Sequence, residues 1–208
     1  MKNLNIAINC HSSICINDSI YFDPYNIKNK KSNAKIVFLT HTHYDHLDEA
    51  SIKNVMAKTT IFVCTSDAVE QLVKIGIEKN NIVVVKVGDN VDVAGIKAKV
   101  YSAYNIGKQY HPKENGWVGY LVNVDGVDYY VCGDTDLTTE LKTIKTDVLF
   151  VPIGGTFTMT ATEAAQATNI IKPKLVVPMH YNLLVGDKND EQTFVKNLDK
   201  TIKYKVLI

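Results

Sequence analysis

The segment Thr40-His41-Thr42-His43-Tyr44-Asp45-His46 contains four side chains of metal-binding type within six residues. Residues 36–39, directly before it, are apolar and predict a short buried strand, whereas residues 47–56 carry apolar residues at near-helical spacing. Residues two apart on a helix point away from each other, so the H-x-H-x-D-H pattern predicts a turn on which these side chains converge. Imidazole and carboxylate together suit zinc, manganese or iron. A merely histidine-rich polar loop is disfavoured, because three of the chain's six histidines lie here.

Two further apolar runs end in residues that can bind a metal. Residues 128–132 lead into Gly133 and Asp134, and residues 175–179 lead into His180. Taken alone, Asp134 is as easily explained as a turn residue and His180 as a buried core histidine. Open α/β folds place their chemistry at the ends of strands, so the three strand ends together predict one set of metal-binding residues.

The order of these motifs resembles a known family. His41-x-His43-x-Asp45-His46, then Asp134 within Gly-Asp-Thr-Asp, then His180, is similar to the metallo-β-lactamase-fold superfamily of metal-dependent hydrolases. Segments 151–159, 163–165 and 178–181 resemble the branch that includes ascorbate-6-phosphate lactonase and a large group of small hydrolases. The resemblance covers nearly the whole chain. It implies an α/β (α+β) fold class, a four-layer αββα sandwich, in a single domain over residues 1–208.

The resemblance also implies which residues bind metal. It implies two divalent metal ions as cofactors, namely zinc, with manganese or iron as alternatives. The implied ligands are His41 and His43 for the first ion, Asp45, His46 and His180 for the second, and Asp134 as the bridge between them.

The first metal position lacks one ligand of the superfamily pattern. The superfamily supplies a third histidine from the strand end before the Gly-Asp motif, where this chain has Asn105. An amide oxygen is a harder and weaker donor than imidazole. His111 lies further along the same loop, and the sequence leaves open which of the two residues completes the position. We expect the two metal positions to differ in affinity.

His11 and Asp23 lie in segments that resemble the first two strands of the branch. Each has two interpretations. They could orient metal-binding histidines, as such ligands commonly require. Alternatively, Asp23-Pro24 is a turn and His11 a polar residue at a strand end.

The implied reaction is hydrolysis. Two adjacent cations can hold a bridging hydroxide that attacks an ester, lactone or phosphoester bond of a small, anionic metabolite. Asp45 would orient this nucleophile, and His111 would face the substrate and donate a hydrogen bond to the developing oxyanion. Lys108 and Lys113, in the same polar loop as His111, could meet a phosphate or carboxylate group.

Composition narrows the classes of partner. A formal net charge of +1 and the absence of arginine argue against a basic surface that binds nucleic acid or an anionic membrane. We therefore predict a small-molecule substrate, no nucleic-acid partner and no membrane partner, and leave a homo-oligomer open. Two alternative functions remain: a phosphodiesterase acting on nucleic acid or lipid, and a metal-binding protein without hydrolytic activity.

The cysteines and the N-terminal residues predict a cytoplasmic protein. The four cysteines form no C-x-x-C pair, and three of them lie in apolar runs, which is typical of reduced, buried thiols. Residues 1–5 lack the apolar region of a signal peptide, and no apolar stretch is long enough to span a bilayer.

Periodicity predicts two similar halves of strands and helices. The predicted strands lie near residues 5–8, 14–16, 20–22, 36–39, 60–64, 82–87, 94–103, 118–124, 127–132, 148–151, 175–179 and 203–207. The predicted helices lie near residues 48–57, 66–75, 162–171 and 190–198. Turn residues at 93–96 and 124–127 predict hairpins, and Thr160 with Glu163 predicts a capping box at the start of the third helix.

Overall fold

The computed structural model describes residues 4–208 and is a mixed α/β protein with two β-sheets. The chain divides into two compact units, the first ending at Lys86 and the second spanning Val87–Ile208. Each unit contains one of the sheets. Residues 1–3, part of the segment predicted to lack a signal peptide, lie outside the described residues. The prediction of a single domain over residues 1–208 stays a prediction.

The first unit is built on a six-stranded sheet. Its strands are β1 (Ile6–Cys10), β2 (Ser13–Ile16), β3 (Ile20–Phe22), β4 (Ala34–Phe38), β5 (Met56–Cys64) and β6 (Ile82–Val84). They are adjacent in chain order, with β1 to β3 antiparallel and β3 to β6 parallel. The helices of this unit are α1 (Glu49–Val55) and α2 (Val69–Lys74).

Helix α1 is shorter than predicted. It begins after Asp48, whose side chain accepts a hydrogen bond from the Ala50 N–H at 3.1 Å. It ends at Val55 because Met56 has an extended backbone and starts β5. The predicted helix over 48–57 was therefore too long, and the strand predicted over 60–64 starts earlier. The buried Thr60 hydroxyl donates to the Ala34 carbonyl of β4 at 2.5 Å and so ties this longer strand to its neighbour.

The second unit is built on a seven-stranded sheet. Its strands are β7 (Asn90–Val93), β8 (Ile96–Ser102), β9 (Val118–Val124), β10 (Val127–Val131), β11 (Val148–Pro152), β12 (Leu175–Met179) and β13 (Lys203–Tyr204). They are also adjacent in chain order, with β7 to β10 antiparallel and β10 to β13 parallel. The helices are α3 (Ala161–Ile171) and α4 (Lys188–Asn197).

Both predicted hairpins are present in the second unit. Ala94 and Gly95 connect β7 to β8 with φ angles of 49° and 81°, and Asp125 and Gly126 connect β9 to β10 with 52° and 78°. Two successive positive φ angles match the right-handed twist of the strands they join. The strand predicted over 94–103 is shortened to β8 because its first two residues form the turn.

The capping box of α3 is confirmed. The Glu163 N–H donates to Thr160 Oγ1 at 3.3 Å, and the Thr160 N–H donates to Glu163 Oε2 at 2.8 Å. Two otherwise unpaired donors at the helix start are thereby satisfied. The helix begins at Ala161, one position before the predicted start.

The cysteines are free thiols, as predicted. Cys15, Cys64 and Cys132 are buried, and burial raises the pKa of the Cys64 thiol to about 12. Such thiols are protonated at neutral pH and unreactive. Within residues 4–208, no helix is long and apolar enough to cross a membrane.

Candidate metal centre

In the first unit, the parallel strands β3 and β4 end side by side, so the residues that follow them meet. Asp23 follows β3 and Thr40 comes soon after β4. The Asp23 N–H donates to the Phe38 carbonyl at 3.0 Å, and the Thr40 N–H donates to Asp23 Oδ1 at 2.8 Å. Asp23 has a φ of 45°, an uncommon conformation for a residue other than glycine. Such conformations concentrate at functional sites.

The second oxygen of Asp23 orients a histidine. Asp23 Oδ2 accepts a hydrogen bond from Thr40 Oγ1 at 2.7 Å and lies 2.8 Å from His46 Nδ1, and all three residues are buried. A carboxylate only accepts, so Nδ1 of His46 carries a proton. In the neutral imidazole, the lone pair is then on Nε2, which is the arrangement of a histidine that binds metal.

The donors of the first unit form a cluster, called here the histidine-loop cluster. Its members are His11, His41, His43, Asp45 and His46. His11 Nε2 lies 3.2 Å and His46 Nε2 lies 3.6 Å from Asp45 Oδ2, while His41 Nε2 lies 3.1 Å from His43 Nδ1. His11 is fully buried and has a positive φ of 53°. Because His11 contacts Asp45 directly, we count His11 as a candidate metal-binding residue and not only as a residue that orients one.

The donors of the second unit form the Asp134 cluster, which consists of His111, Asp134 and His180. Strands β10 and β12 run parallel with β11 between them, so Asp134 and His180 follow strand ends at the same edge of the sheet. His180 Nε2 lies 3.0 Å and His111 Nε2 lies 3.3 Å from Asp134 Oδ2. All three residues are buried.

The backbone around His180 is tightly fixed. His180 has a φ of 57°, and a Cβ added to Gly154 would overlap the His180 carbonyl oxygen. Only glycine permits this approach between the residues after β11 and β12. The next residue, Tyr181, donates its hydroxyl to Glu191 Oε2 at 3.0 Å, and burial raises its pKa. Tyr181 therefore stays protonated and anchors the segment to α4.

The lysines of the loop after β8 are used within the protein. Lys108 Nζ donates to Asp136 Oδ1 at 2.7 Å and to the carbonyls of Thr158 and Gly155 at 2.6 and 3.3 Å. Lys113 pairs with Glu140 at 2.8 Å on the surface. An ammonium group has three hydrogens, so Lys108 has none left for a substrate. The expectation that Lys108 meets a substrate anion was wrong.

The donor sets fit a divalent metal ion. Two ligands of a tetrahedral ion, each at about 2.0–2.1 Å from it, are separated by about 3.3 Å. The nitrogen–oxygen and nitrogen–nitrogen separations of the two clusters are 3.0–3.6 Å. Imidazole with carboxylate is also the donor chemistry that zinc, manganese and iron accept.

Each predicted ligand therefore lies in one of the two clusters, and three contributors were missed or left open. His11 approaches Asp45 directly, whereas the sequence indicated at most an orienting role. His111 contacts Asp134, and Asn105 contacts His111. The sequence shows that Asp136 follows the Gly-Asp motif closely. It does not predict the contact of Asp136 with Lys108, because 27 residues lie between Lys108 and Asp136 in the chain.

A comparison with known families agrees with this donor chemistry. The model of the β-lactamase superfamily domain matches residues 8–180, most of the chain. The chain belongs to the β-lactamase superfamily. It is 32% identical to a UPF0173 metal-dependent hydrolase of Listeria welshimeri, with 97% of this chain and 96% of the relative covered. It is 33% identical to a UPF0173 metal-dependent hydrolase of Sulfurisphaera tokodaii, with 89% and 82% covered.

Comparison with solved structures confirms the predicted fold class. A protein of Parabacteroides distasonis, inferred to be a metal-dependent hydrolase, is 28% identical, with a TM-score of 0.79 over 98% of this chain and 92% of that one. A member of the metallo-β-lactamase superfamily from Thermotoga maritima is 21% identical, with a TM-score of 0.64 over 98% of each chain. The protein is a metal-dependent hydrolase of the metallo-β-lactamase fold, as predicted.

Proposed function

We propose that the protein hydrolyses an ester, lactone or phosphoester bond in a small, anionic metabolite with the aid of two divalent metal ions. Zinc is the proposed metal, with manganese and iron as alternatives. The superfamily pattern supports the ligand assignment, which is His41 and His43 for the first ion, Asp45, His46 and His180 for the second, and Asp134 as the shared ligand. The match of one family model across residues 8–180 supports a single domain.

The observation that carries the choice of a small substrate is a cavity beside the histidine loop. Its volume is about 680 Å³, within the range of sites that enclose small molecules. Thr42 and Tyr44, which alternate with the proposed ligands of that loop, form part of its wall. Among residues 4–208, no donor side chain lines this cavity itself, but its wall includes residues of the histidine loop, whereas the concave region of about 400 Å³ on β7 to β9 includes none of that loop.

The cavity has an aromatic wall and charged residues of both signs. The rings of Tyr25 and Tyr44 meet edge to face, with centroids 6.4 Å apart. Burial raises the pKa of the Tyr25 hydroxyl, and the nearby charges of Tyr44 and Asp45 add to the effect, so this hydroxyl stays protonated and can donate a hydrogen bond. Lys28 and Lys53 line the cavity together with Asp48 and Glu49, so we propose that the two lysines, and not the net charge of the lining, bind the anionic group.

The residues of the clusters would divide the chemistry. A bound divalent cation lowers the pKa of water and polarises the bond under attack. Asp45 would bind the metal through Oδ2 and would orient the attacking water by accepting its hydrogen bond at the other carboxylate oxygen. Asp23 keeps the proton of His46 on Nδ1 and so fixes the orientation of the ring.

His111 has two candidate roles in this reaction. The sequence predicted a donor to the oxyanion, with the missing metal ligand as the alternative. His111 is 1% exposed, and its Nε2 lies 3.3 Å from Asp134 Oδ2, which favours the ligand role.

The cavity and the cysteines bear on the substrate class and on the cellular location of the protein. A cavity of this size suits a small metabolite, and a formal net charge of +1 provides no excess of positive charge for a polyanion, so a phosphodiesterase of nucleic acid or lipid is the less supported alternative. The free, buried cysteines are typical of a reducing compartment, and we place the protein in the cytoplasm on that ground.

A substrate panel tests the proposal. Metal-loaded protein is assayed with anionic lactones, esters and phosphoesters, with their neutral analogues, and with nucleic acid and lipid vesicles. We expect turnover of a small anionic compound, a raised KM for it in Lys28→Met/Lys53→Met, and an unchanged KM for the neutral analogue. Turnover of only the polymer or the vesicle would contradict the proposal.

A further inference from the structure

The loop from Asn105 to His111 is closed at its base by two contacts between these residues. The Asn105 N–H donates to the His111 carbonyl at 2.8 Å, and Asn105 Oδ1 lies 3.0 Å from His111 Nδ1. Pro112 follows directly and restricts the backbone of His111 to extended conformations. The His111 imidazole is thus tied to Asn105 by both backbone and side chain.

The orientation of the Asn105 amide follows from its other neighbours. Its nitrogen donates to the Phe157 carbonyl at 2.9 Å and to Asp136 Oδ1 at 3.2 Å, and both of these atoms only accept hydrogen bonds. The amide oxygen must therefore face His111 and accept from Nδ1–H. In the neutral ring, the lone pair then lies on Nε2, the atom 3.3 Å from Asp134.

Lys108 and Asp136 fix the nitrogen side of this amide, because Asp136 accepts a hydrogen bond from Asn105 Nδ2. Lys108 Nζ lies 2.7 Å from Asp136 Oδ1, and the Ile106 N–H donates to Asp136 Oδ2 at 2.8 Å. The side chain of Asp136 is 10% exposed and that of Lys108 is 28% exposed. A carboxylate so far from water needs a compensating charge, and Lys108 supplies it.

We propose that the Lys108–Asp136 ion pair positions His111 as a metal ligand by fixing the amide of Asn105. Asn105 is then an orienting residue and not a ligand. This inference rests on the proposed function, because it assumes that the Asp134 cluster binds metal. It explains why a chain with asparagine at the position expected for histidine retains an imidazole next to Asp134.

The alternative is that the ion pair only holds the loop against residues 155–158 and does not affect the orientation of His111. The two roles differ in one observable, the proton position on His111. If the ion pair has only this structural role, removing it leaves the tautomer of His111 unchanged. If the ion pair positions His111, it selects the tautomer with the proton on Nδ1. Removing the pair then gives a mixture of the two tautomers.

The test compares Lys108→Met with Lys113→Met. Both remove one positive charge from the same loop, but Lys113 lies in an exposed pair with Glu140. Zinc affinity is measured by titration of the metal-free full chain, and the His111 tautomer by nitrogen NMR. We expect Lys108→Met to bind one zinc equivalent about 10–100-fold more weakly and to lose the single tautomer, Lys108→Arg to recover part of the affinity, and Lys113→Met to match the wild type.

Two further variants separate the failure modes. Asp136→Asn keeps the size of the side chain and is the substitute if Lys108→Met does not fold. Wild-type zinc affinity and a single tautomer in the folded variants would overturn the inference. Unchanged zinc content in both Asp134→Ala and His180→Ala would instead overturn the proposed function.

Discussion

The histidine-loop cluster and the Asp134 cluster use the same donor types but are assembled differently. In the first unit, four of the five donors come from residues 41–46, on one turn after β4. In the second unit, the three donors come from three segments that are 23 or more residues apart in the chain, at residues 111, 134 and 180. A contiguous set needs only one turn to converge. A dispersed set depends on the register of the sheet and on the loop that carries His111.

The supports of the two clusters differ accordingly. Asp23 acts directly on His46 from the neighbouring parallel strand, through one hydrogen bond. His111 depends on a chain of contacts through Asn105, Asp136 and Lys108. We therefore expect loss of Asp134, the central donor of the dispersed cluster, to have a larger effect than loss of Asp23, the support of the contiguous one.

The largest expected effect comes from Asp134→Ala. Asp134 Oδ2 is the atom that both imidazoles of its cluster approach, so its removal leaves the second unit without its central ligand. We expect at least half of the bound metal to be lost and turnover to fall by about 100-fold or more. Elemental analysis and activity on the best substrate of the panel measure the two losses. Asp92→Ala, an exposed aspartate on β7, is the control and should retain both.

Asp23→Asn should have the next largest effect. The amide can no longer accept at both oxygen positions, so it loses part of its contacts with the Thr40 N–H, the Thr40 hydroxyl and His46 Nδ1. Loss of such an orienting partner weakens metal binding by about 10–100-fold. Zinc titration checks this, with Asp18→Asn on the surface as control. An effect as large as that of Asp134→Ala would remove the proposed difference between the clusters.

Asn105→His sharpens the comparison by restoring the residue that the superfamily pattern expects. An imidazole at this position cannot reproduce the amide contacts with Asp136, the Phe157 carbonyl and His111. We therefore expect zinc affinity to fall by about 10-fold, the lower end of the loss caused by removing an orienting partner, because the hydrogen bond that supports His111 is lost. A rise in zinc affinity would show instead that Asn105 occupies a ligand position.

The smallest effect is expected for an ion pair of the second unit that touches no donor. Hydrogen bonds from Lys174, and then from the Asp128 N–H, hold the pKa of the Asp147 carboxyl below its usual range. A lowered folded-state pKa stabilises the protein above the unfolded pKa of about 3.9, and this contribution is lost as pH falls through the folded value. Asp147→Asn should lower Tm at pH 7 by about 1–3 °C, and the difference should shrink below about pH 4. Zinc content should not change.

The comparison also explains how much could be predicted from sequence. Residues 41–46 were assigned because their spacing is local, and Asp134 and His180 because each follows an apolar strand. His11 was underestimated because its contact with Asp45 spans 33 intervening residues and depends on a backbone φ that no local pattern indicates. The orientation of Asn105 and the engagement of Lys108 follow from tertiary contacts with residues 155–158, which the sequence does not pair with that loop.

The boundaries of helices and strands were likewise predicted correctly where they depend on adjacent residues and wrongly where they depend on tertiary contacts. The hairpin turns and the capping box depend on adjacent residues and were predicted correctly. The start of β5 was wrong because Met56 pairs with Ala34 across the sheet, and this tertiary pairing ends α1 before its apolar pattern does.

The central claim is that both clusters bind metal, and anomalous diffraction tests it most directly. Crystals of the full chain are grown with zinc, and data are collected on both sides of the zinc absorption edge. We predict two anomalous peaks, one within about 2.5 Å of a ring nitrogen of both His41 and His43 and one within the same distance of Asp45 Oδ2 and His46 Nε2. Asp134 Oδ2 and His180 Nε2 should each lie within that distance of a peak. In crystals grown with zinc, the absence of a peak from even one of the two clusters would contradict the account.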